Sequence, residues 1–435
     1  MVIVCVQRFT SLLCLVTVGV LTLSGNAQKL VEKRSDHWVS TWATAQELAP
    51  VAVDPPQVPV GVVRPNFNRA RGGGPRTDVP GTLENQTIRM IVHTTIGGSK
   101  VRVQISNAFG KKPLVIGAAS FALRKSESEI DEATLRPLTF GGRSSITVQP
   151  GVLVLSDALI FELKPLCDIA ISLFVSKDSG APTAHTLGLH TSYISKGDTT
   201  TDAAIAQSTT TLAYLWLSSV DVVASPKAFA IVALGDSITD GFKATPDANQ
   251  AWPTLLANRF NTKGTVPVSV LNQGISGNEV LRDGAGVSAL ARFDRDVLSR
   301  PGVKWMILLE GINDINLHGQ ITGPTALSAE ELIFGYKQLI ERAHSHGIKV
   351  MGATVMPEEG VWLATETGEA KRREVNRWIR TSGEFDSVVD FDEVVRDPTH
   401  PSCLKPEFNP GDNIHPNDLG NKAMADKFDL SVFKN

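Results

Sequence analysis

The sequence has little cysteine, no excess of basic residues and, after its first 27 residues, no long hydrophobic run. Of its 435 residues, 42 are Lys or Arg and 45 are Asp or Glu, which gives a formal net charge of −3. A chain without a basic excess lacks the electrostatic attraction for phosphate backbones, which argues against a nucleic-acid ligand. Hydrophobic residues make up 42% of the chain, a fraction typical of globular proteins and too high for a fully disordered chain.

The first 27 residues have the pattern of a secretory signal peptide. Arg8 precedes an apolar run over residues 9–23, which is shorter than the ~20 residues that a membrane-spanning helix needs. Gly25-Asn26-Ala27 then provides small residues for a cleavage site. We therefore expect residues 1–27 to be removed and the mature protein to be secreted or periplasmic, without membrane attachment. The alternative is an uncleaved membrane anchor.

Cleavage after Ala27 would leave Cys167 and Cys403 as the two remaining thiols, in an oxidising compartment. Two cysteines are too few for a disulfide framework, and a chain of this length can bury a core without one. A bridge between them would tether the two halves of the chain. The sequence leaves this bridge open, because it does not show whether their Cα atoms come within about 7 Å.

Residues 37–225 predict an antiparallel β-sandwich domain. Polar and apolar residues alternate over 87–94 and 101–106, and three further short segments follow, at 146–148, 160–163 and 169–175. Short alternating segments that are separated by Gly and Pro turns are typical of such sandwiches. Residues 50–82 are rich in Pro and Gly and predict an irregular loop within this domain.

Residues 226–435 predict an α/β domain. The continuous apolar run Phe229–Leu234 is typical of a strand that is buried on both faces. Helical segments alternate with about five such strands, which favours a parallel sheet with helices on both faces. Ligands of such sheets bind at the carboxyl ends of the strands, so polar residues at those positions are the candidate functional residues.

Four motifs follow the predicted strands or precede the closing helix: Gly235-Asp236-Ser237-Ile238-Thr239-Asp240-Gly241, Asn272-Gln273-Gly274-Ile275-Ser276-Gly277-Asn278, Glu310-Gly311-Ile312-Asn313-Asp314 and Gly411-Asp412-Asn413-Ile414-His415. Each motif taken alone is also explained as a helix cap or a turn. Together they supply a serine near a helix N-terminus, an uncharged amide donor at Asn313, and an Asp-x-x-His pair that can orient an imidazole base.

From Lys227 to its end, the chain resembles the SGNH, or GDSL, hydrolase superfamily, because the four motifs appear in the order and spacing of that family. The resemblance implies a three-layer, flavodoxin-like domain with no metal and no organic cofactor. It implies Ser237 as the nucleophile and Asp412 and His415 as the other triad members. The N–H groups of Ser237 and Gly277 and the amide of Asn313 would form the oxyanion hole.

The first half is similar to the N-terminal β domain of one branch of this superfamily, which is grouped with xylan-esterase-like enzymes. Residues 38–45 and 103–110 carry that similarity. The expected function is a secreted serine esterase that hydrolyses acyl esters, with a polysaccharide or a small molecule as substrate. The alternatives are a lipase or aryl esterase, an acyltransferase with the same triad, and a polysaccharide-binding protein without activity. The oligomeric state is left open.

Other candidate sites are weaker. His185 and His190 lack a third ligand nearby in the sequence, which argues against a metal site. Glu358 and Glu359 are adjacent, whereas the paired carboxylates of glycosidases flank the scissile bond from separate elements. The basic run Lys371-Arg372-Arg373 predicts a solvated helix face.

Overall fold

The protein is described by a computed structural model that covers residues 36–47, 79–263, 266–318, 327–361 and 363–433. The predicted signal peptide and nearly all of the predicted loop over residues 50–82 lie outside the described residues. Within those described, no helix has both the length and the apolar character needed to cross a membrane.

The region before Pro226, here called the β region, consists of antiparallel strands. They are β1 (Trp38–Ala43), β2 (Gln86–Thr94), β3 (Gly98–Ser106), β4 (Leu114–Ser126), β5 (Glu129–Ile130), β6 (Arg136–Pro137), β7 (Ile146–Val148), β8 (Leu153–Leu155), β9 (Leu159–Leu163), β10 (Cys167–Val175), β11 (Ala184–His185), β12 (Ser192–Lys196), β13 (Thr209–Thr211), β14 (Tyr214–Leu215) and β15 (Leu217–Val223). The prediction of antiparallel strands is confirmed, and β2, β3, β7, β9 and β10 lie where the alternating segments placed them.

The β region forms two larger sheets and a small one. One sheet has the order β13-β12-β2-β10-β4-β5, with β6 and β7 also paired to β4. A second has the order β1-β15-β3-β8, with β9 also paired to β3, and β11 pairs with β14. In β3, buried and more exposed side chains alternate, as the period of two in its sequence requires. The sandwich arrangement of the sheets stays a prediction.

The second region, here called the parallel-sheet region, contains the predicted five strands. They are β16 (Phe229–Gly235), β17 (Val268–Gly274), β18 (Val303–Leu309), β19 (Lys349–Ala353) and β20 (Ser387–Val389). Every pairing is parallel, in the order β17-β16-β18-β19-β20. This 2-1-3-4-5 order is that of flavodoxin-like sheets. All seven residues of β16 are buried, as its continuous apolar run predicts. The three-layer arrangement stays a prediction.

The helices of this region are α1 (Ser237–Asp240), α2 (Trp252–Lys263), α3 (Ala289–Phe293), α4 (Ile312–His318), α5 (Ala329–Ser345), α6 (Glu366–Thr381), α7 (Phe391–Val395) and α8 (Asp418–Lys427), and a π-helical turn over Asp294–Leu298 continues α3. The prediction of a solvated basic face on α6 is wrong for Arg372. That side chain is buried and donates hydrogen bonds to the Val355 carbonyl (2.9 Å) and to Asp392 (2.8 Å).

The β region and the parallel-sheet region pack into one compact unit that covers residues 37–435. Strand β1 lies against β17, and the Ser40 N–H donates to the Pro301 carbonyl at 3.0 Å. The hydroxyl oxygens of Thr95 and Ser269 are 2.9 Å apart. Polar as well as apolar contacts therefore join the two regions, while the expected domain boundaries at 37–225 and 226–435 stay predictions.

The two cysteines are not bridged. Cys167 begins β10, and its thiol donates to the Lys164 carbonyl at 3.1 Å, while Cys403 lies in the chain between α7 and α8. Both thiols are free. The bridge that the sequence left open is thus absent from the structure, and the two regions are held together by packing and hydrogen bonds instead.

Candidate active site

The turn after β16 places Ser237 at the carboxyl edge of the parallel sheet. Asp236 caps the short helix α1, because its Oδ1 accepts a hydrogen bond from the Ile238 N–H at 2.9 Å. Ser237 is the first residue of α1, so its N–H belongs to the donors that have no partner within the helix. Gly241 follows the helix as its C-cap, and its φ of 102° lies in the left-handed region that glycine adopts without strain.

The structure brings Ser237, His415 and Asp412 into one hydrogen-bonded chain. The distance from Ser237 Oγ to His415 Nε2 is 2.7 Å, and the distance from His415 Nδ1 to Asp412 Oδ2 is 2.9 Å. A carboxylate only accepts, so Nδ1 carries the proton and Nε2 is left to accept from the serine hydroxyl. This is the tautomer that a histidine needs in order to act as a general base towards a serine.

The Asp412 carboxylate is held by its own loop. Its Oδ1 accepts from the His415 N–H at 3.0 Å and from the Ile414 N–H at 3.2 Å. Partial burial alone would raise the pKa of Asp412, but the hydrogen bonds and the charge of His415 outweigh it and lower that pKa. Asp412 is therefore ionised at neutral pH. The ring of Phe242 packs against the His415 ring, with 4.6 Å between the two centroids.

Asn313 contacts the loop of Gly277 through the backbone carbonyl of Asn278, the residue that follows Gly277. The Asn313 side-chain amide donates to the Asn278 carbonyl at 2.9 Å, which uses one of the two hydrogens on Nδ2 and leaves the other for a ligand. Gly277 has a φ of 83°, and a Cβ there would lie 2.9 Å from the Ala285 Cβ. Glycine is therefore required at this position for a backbone conformation that L side chains rarely adopt.

Arg292 is a residue of the site that sequence reasoning missed. Its side chain is fully buried and donates to the carbonyls of Gly235 (3.0 Å) and Gln273 (2.7 Å) and to Asn278 Oδ1 (2.9 Å). It thus ties the ends of β16 and β17 to the loop that contains Gly277. The helical spacing could have predicted its burial, because Arg292 lies on the same face of its helix as the buried residues Ala289 and Phe293.

Three carboxyl groups of the motifs themselves are buried. Burial raises the pKa of Asp236 to about 7 and that of Asp314 to about 7, and it raises the pKa of Glu310 well above its usual value. Asp314 accepts from two backbone N–H groups just after Gly277, those of Val280 (2.8 Å) and Leu281 (3.1 Å). Asp236 and Asp314 thus hold backbone N–H groups of the loops around Ser237, whereas Glu310 lies 3.6 Å from Arg292.

His185 and His190 do not form a metal site with each other. His185 Nε2 lies 3.0 Å from Asp240 Oδ1, and His190 Nε2 lies 2.9 Å from Asn249 Oδ1. Across the residues that the structure describes, no cluster of three or more His, Cys, Asp or Glu side chains is arranged to hold a metal ion. Sequence reasoning missed the contact between His185 and Asp240, because it joins residues 55 positions apart in two different regions.

Comparison with solved structures finds several esterases and lipases that align with slightly less than half of this chain. A GDSL-like lipase from Bacteroides thetaiotaomicron is 20% identical, covers 47% of this chain and 87% of its own, and has a TM-score of 0.35. The aryl esterase of M. smegmatis is 15% identical over 45% and 94% of the two chains, with a TM-score of 0.36. A variant of an acetyl xylan esterase from Geobacillus stearothermophilus is 19% identical over 48% and 96%, with a TM-score of 0.37.

No curated protein matches this chain. Residues 233–423 match the protein family described as GDSL-like Lipase/Acylhydrolase. That range starts inside β16 and ends in α8, so it contains Ser237, Gly277, Asn313, Asp412 and His415. The region over residues 233–423, which contains all five of these residues, therefore matches the GDSL-like lipase/acylhydrolase family, a family of serine ester hydrolases.

Proposed function

We propose that the protein is a secreted serine esterase that removes acyl groups from carbohydrate, with Ser237, His415 and Asp412 as its catalytic triad. The observation that carries the proposal is the continuous hydrogen-bonded chain from Ser237 Oγ through the His415 ring to Asp412. A serine hydroxyl is a weak nucleophile until an adjacent base takes its proton, and this chain provides the base in the required tautomer.

In the proposed reaction, Ser237 Oγ attacks the ester carbonyl carbon while its proton moves to His415 Nε2. Asp412 stabilises the imidazolium that forms. The N–H groups of Ser237 and Gly277 and the free amide hydrogen of Asn313 stabilise the tetrahedral oxyanion. The proton on His415 then passes to the leaving alcohol, which departs and leaves an acyl-enzyme. Water, deprotonated by His415, then attacks the acyl carbon. The bond to Ser237 Oγ breaks as His415 returns the proton to that oxygen, which releases the carboxylic acid. The sequence of steps needs no metal and no cofactor.

A fluorophosphonate probe tests whether Ser237 is activated. We expect covalent labelling of the wild-type protein at Ser237, identified by peptide mass spectrometry, and none in Ser237→Ala. Labelling that persists in Ser237→Ala would overturn the assignment of the nucleophile. A complete lack of labelling in the wild type would favour the alternative of a polysaccharide-binding protein without activity.

A carbohydrate ester as substrate is supported by the similarity of residues 38–45 and 103–110 to the β domain of the xylan-esterase-like branch, and by the expected export of the protein. The test is an ester panel, with acetylated xylan compared with p-nitrophenyl esters of rising acyl length. We expect acetyl groups to be released from xylan with the highest kcat/KM. A rate that rises with acyl length would instead favour a lipase.

An acyltransferase would use the same triad, with a sugar hydroxyl in place of water. The two reactions share the acyl-enzyme and differ only in what attacks it. Product analysis with added acceptor sugars separates them. We expect free carboxylic acid as the main product, and acylated acceptor as the main product would overturn hydrolysis as the function.

A further inference from the structure

Asp240 holds the residue that precedes Gly277. Asp240 is the last residue of α1, three positions after Ser237, and its side chain is buried. Its Oδ2 accepts from the Ser276 N–H at 3.0 Å and from the Ser276 hydroxyl at 2.6 Å. The nucleophile helix is therefore joined to the loop of Gly277 through one carboxylate.

The other oxygen of that carboxylate contacts a histidine of the β region. Asp240 Oδ1 lies 3.0 Å from Nε2 of His185, which ends strand β11 and is buried. The opposite ring nitrogen, Nδ1, lies 2.7 Å from the Ala45 carbonyl, which follows β1. The ring thus spans from the β region to the side chain that fixes the Gly277 loop.

Both ring nitrogens of His185 face acceptors only. A backbone carbonyl has no proton to donate, so Nδ1 must carry one, and Nε2 faces the Asp240 carboxylate and the Leu187 carbonyl (3.1 Å). The ring is therefore doubly protonated. The charges around the ring also favour the protonated form. Burial lowers the pKa of His185, but the carboxylates of Asp240 and Glu47 outweigh burial and raise that pKa to about 9.

Glu47 stands on the far side of the same ring. Its Oε1 lies 3.7 Å from His185 Nδ1 and accepts from the Thr186 hydroxyl at 3.0 Å. The imidazolium is thus held between one carboxylate of the β region and one of the parallel-sheet region. Removal of the imidazolium would leave both buried carboxylates without their shared cation, which is costly.

We propose that His185 is a positioning residue for the esterase reaction: through Asp240 and Ser276 it holds the Gly277 N–H where the oxyanion forms, so that the β region completes the active site. The inference rests on the proposed function and deepens it. Donors of an oxyanion hole must be placed before the reaction, and a misplacement of about 1 Å can cost about 10²-fold in rate.

A double-mutant cycle tests whether His185 and Ser276 act through one carboxylate. We expect His185→Ala and Ser276→Ala each to lower kcat by about tenfold to 10²-fold, with KM changed by less than about threefold, because the oxyanion exists only in the transition state. The double variant should be little worse than the poorer single variant, since contacting residues in one network are not additive. Multiplicative losses, or losses confined to KM, would overturn the proposal.

The matched control is His190→Ala. His190 is buried in the same region and contacts Asn249, with no bond to Asp240 or Ser276. We expect it to lower the melting temperature by an amount comparable to His185→Ala and to keep kcat within about twofold of the wild type. Equal kcat losses in the two variants would mean that His185 acts through the stability of the β region alone, which would overturn the proposal.

His185→Gln keeps the test decisive if His185→Ala does not fold. A glutamine amide nitrogen can take the place of Nε2 and donate to Asp240, but it carries no charge. We expect it to retain more of kcat than Ser276→Ala does, and a larger loss would contradict the proposed contact.

Ser237→Ala is measured beside these variants, so that failure of the proposed function can be told from failure of this inference. If Ser237→Ala keeps its activity, the proposed function fails. If Ser237→Ala is inactive and the double-mutant cycle is additive, only the role of His185 is rejected.

Discussion

Each region of the molecule contains an arginine side chain that is fully shielded from solvent, Arg89 in the β region and Arg292 in the parallel-sheet region. Arg89 lies on β2 and donates only to other groups of the β region: Ser172 Oγ (3.0 Å), the Ser128 carbonyl (2.7 Å), the Asp202 carbonyl (2.7 Å) and the Thr199 carbonyl (3.3 Å). It links β2 and β10 to two loops, and none of its partners belongs to the four motifs.

Arg292 donates a similar number of hydrogen bonds, but its partners lie at the candidate site. Its partners are the Gly235 and Gln273 carbonyls and the Asn278 side chain, which border the turn that contains Ser237 and the loop that contains Gly277. It also lies 3.1 Å from Asp296 and 3.6 Å from Glu310. A buried arginine therefore stabilises the fold in the β region, whereas a buried arginine stabilises the candidate site in the parallel-sheet region. The difference comes from strand direction, because parallel strands bring all their carboxyl ends to one edge.

The largest expected effect in this comparison is the loss of Ser237. We expect Ser237→Ala to lower kcat for ester hydrolysis by at least about 10⁴-fold, because members of a triad act as a unit. The unfolding curve in urea should match that of the wild type, since only one hydroxyl is removed. Turnover close to the wild-type rate would show that the parallel-sheet region does not act through this serine.

The next largest effect is expected at Asn313. Its amide donates to the Asn278 carbonyl and has a second hydrogen. If that hydrogen stabilises the oxyanion as proposed, Asn313→Ala should lower kcat by about 10² to 10³-fold with little change in KM. Steady-state kinetics on the best ester of the panel measure both constants. A rise in KM at constant kcat would instead make Asn313 a substrate-binding residue.

Sequence periodicity was sufficient for most of the secondary structure. The run Phe229–Leu234 predicted a fully buried strand and is β16, and the alternation at 101–106 predicted the later part of β3. These predictions succeed because local spacing alone decides which face of an element is buried. Residues of the candidate site could be predicted where a motif follows a strand, as for Ser237 and Asn313, or precedes the closing helix, as for Asp412 and His415.

Long-range pairing of polar groups could not be predicted in the same way. His185 meets Asp240, and Arg292 meets the Gly235 carbonyl, only after the chain has folded. Arg372 was expected in solvent because a basic run usually faces water, yet Asp392 and the Val355 carbonyl satisfy it in the interior. Which cation finds a buried partner depends on tertiary contacts that no local pattern contains.

Substitution of the two arginines sharpens the comparison between the regions. We expect Arg292→Met to lower the free energy of unfolding by about 3 to 5 kcal/mol, because it leaves buried acidic groups with fewer partners, and to lower kcat by at least about tenfold. Arg89→Met should lower the free energy of unfolding by about 2 to 3 kcal/mol and leave kcat within about twofold. Urea unfolding and ester hydrolysis measure the two quantities, and a kcat loss in Arg89→Met equal to that in Arg292→Met would remove the distinction.

The smallest expected effect is a pH dependence that belongs to the parallel-sheet region. Glu358 is buried, and burial raises the pKa of its carboxyl from 4.5 to about 7. The folded protein therefore binds this proton more tightly than the unfolded chain does. Its contribution to stability is fully present below about pH 4.5 and is lost as the pH rises through about 7.

Glu358→Gln removes the titration, so its free energy of unfolding should fall less between pH 5 and pH 8 than that of the wild type, by about 2 to 3 kcal/mol. The neighbouring Glu359 is exposed, and Glu359→Gln is the matched control that should keep the wild-type dependence. Urea unfolding at the two pH values measures all three proteins, and equal pH dependence in Glu358→Gln and Glu359→Gln would contradict the raised pKa of Glu358.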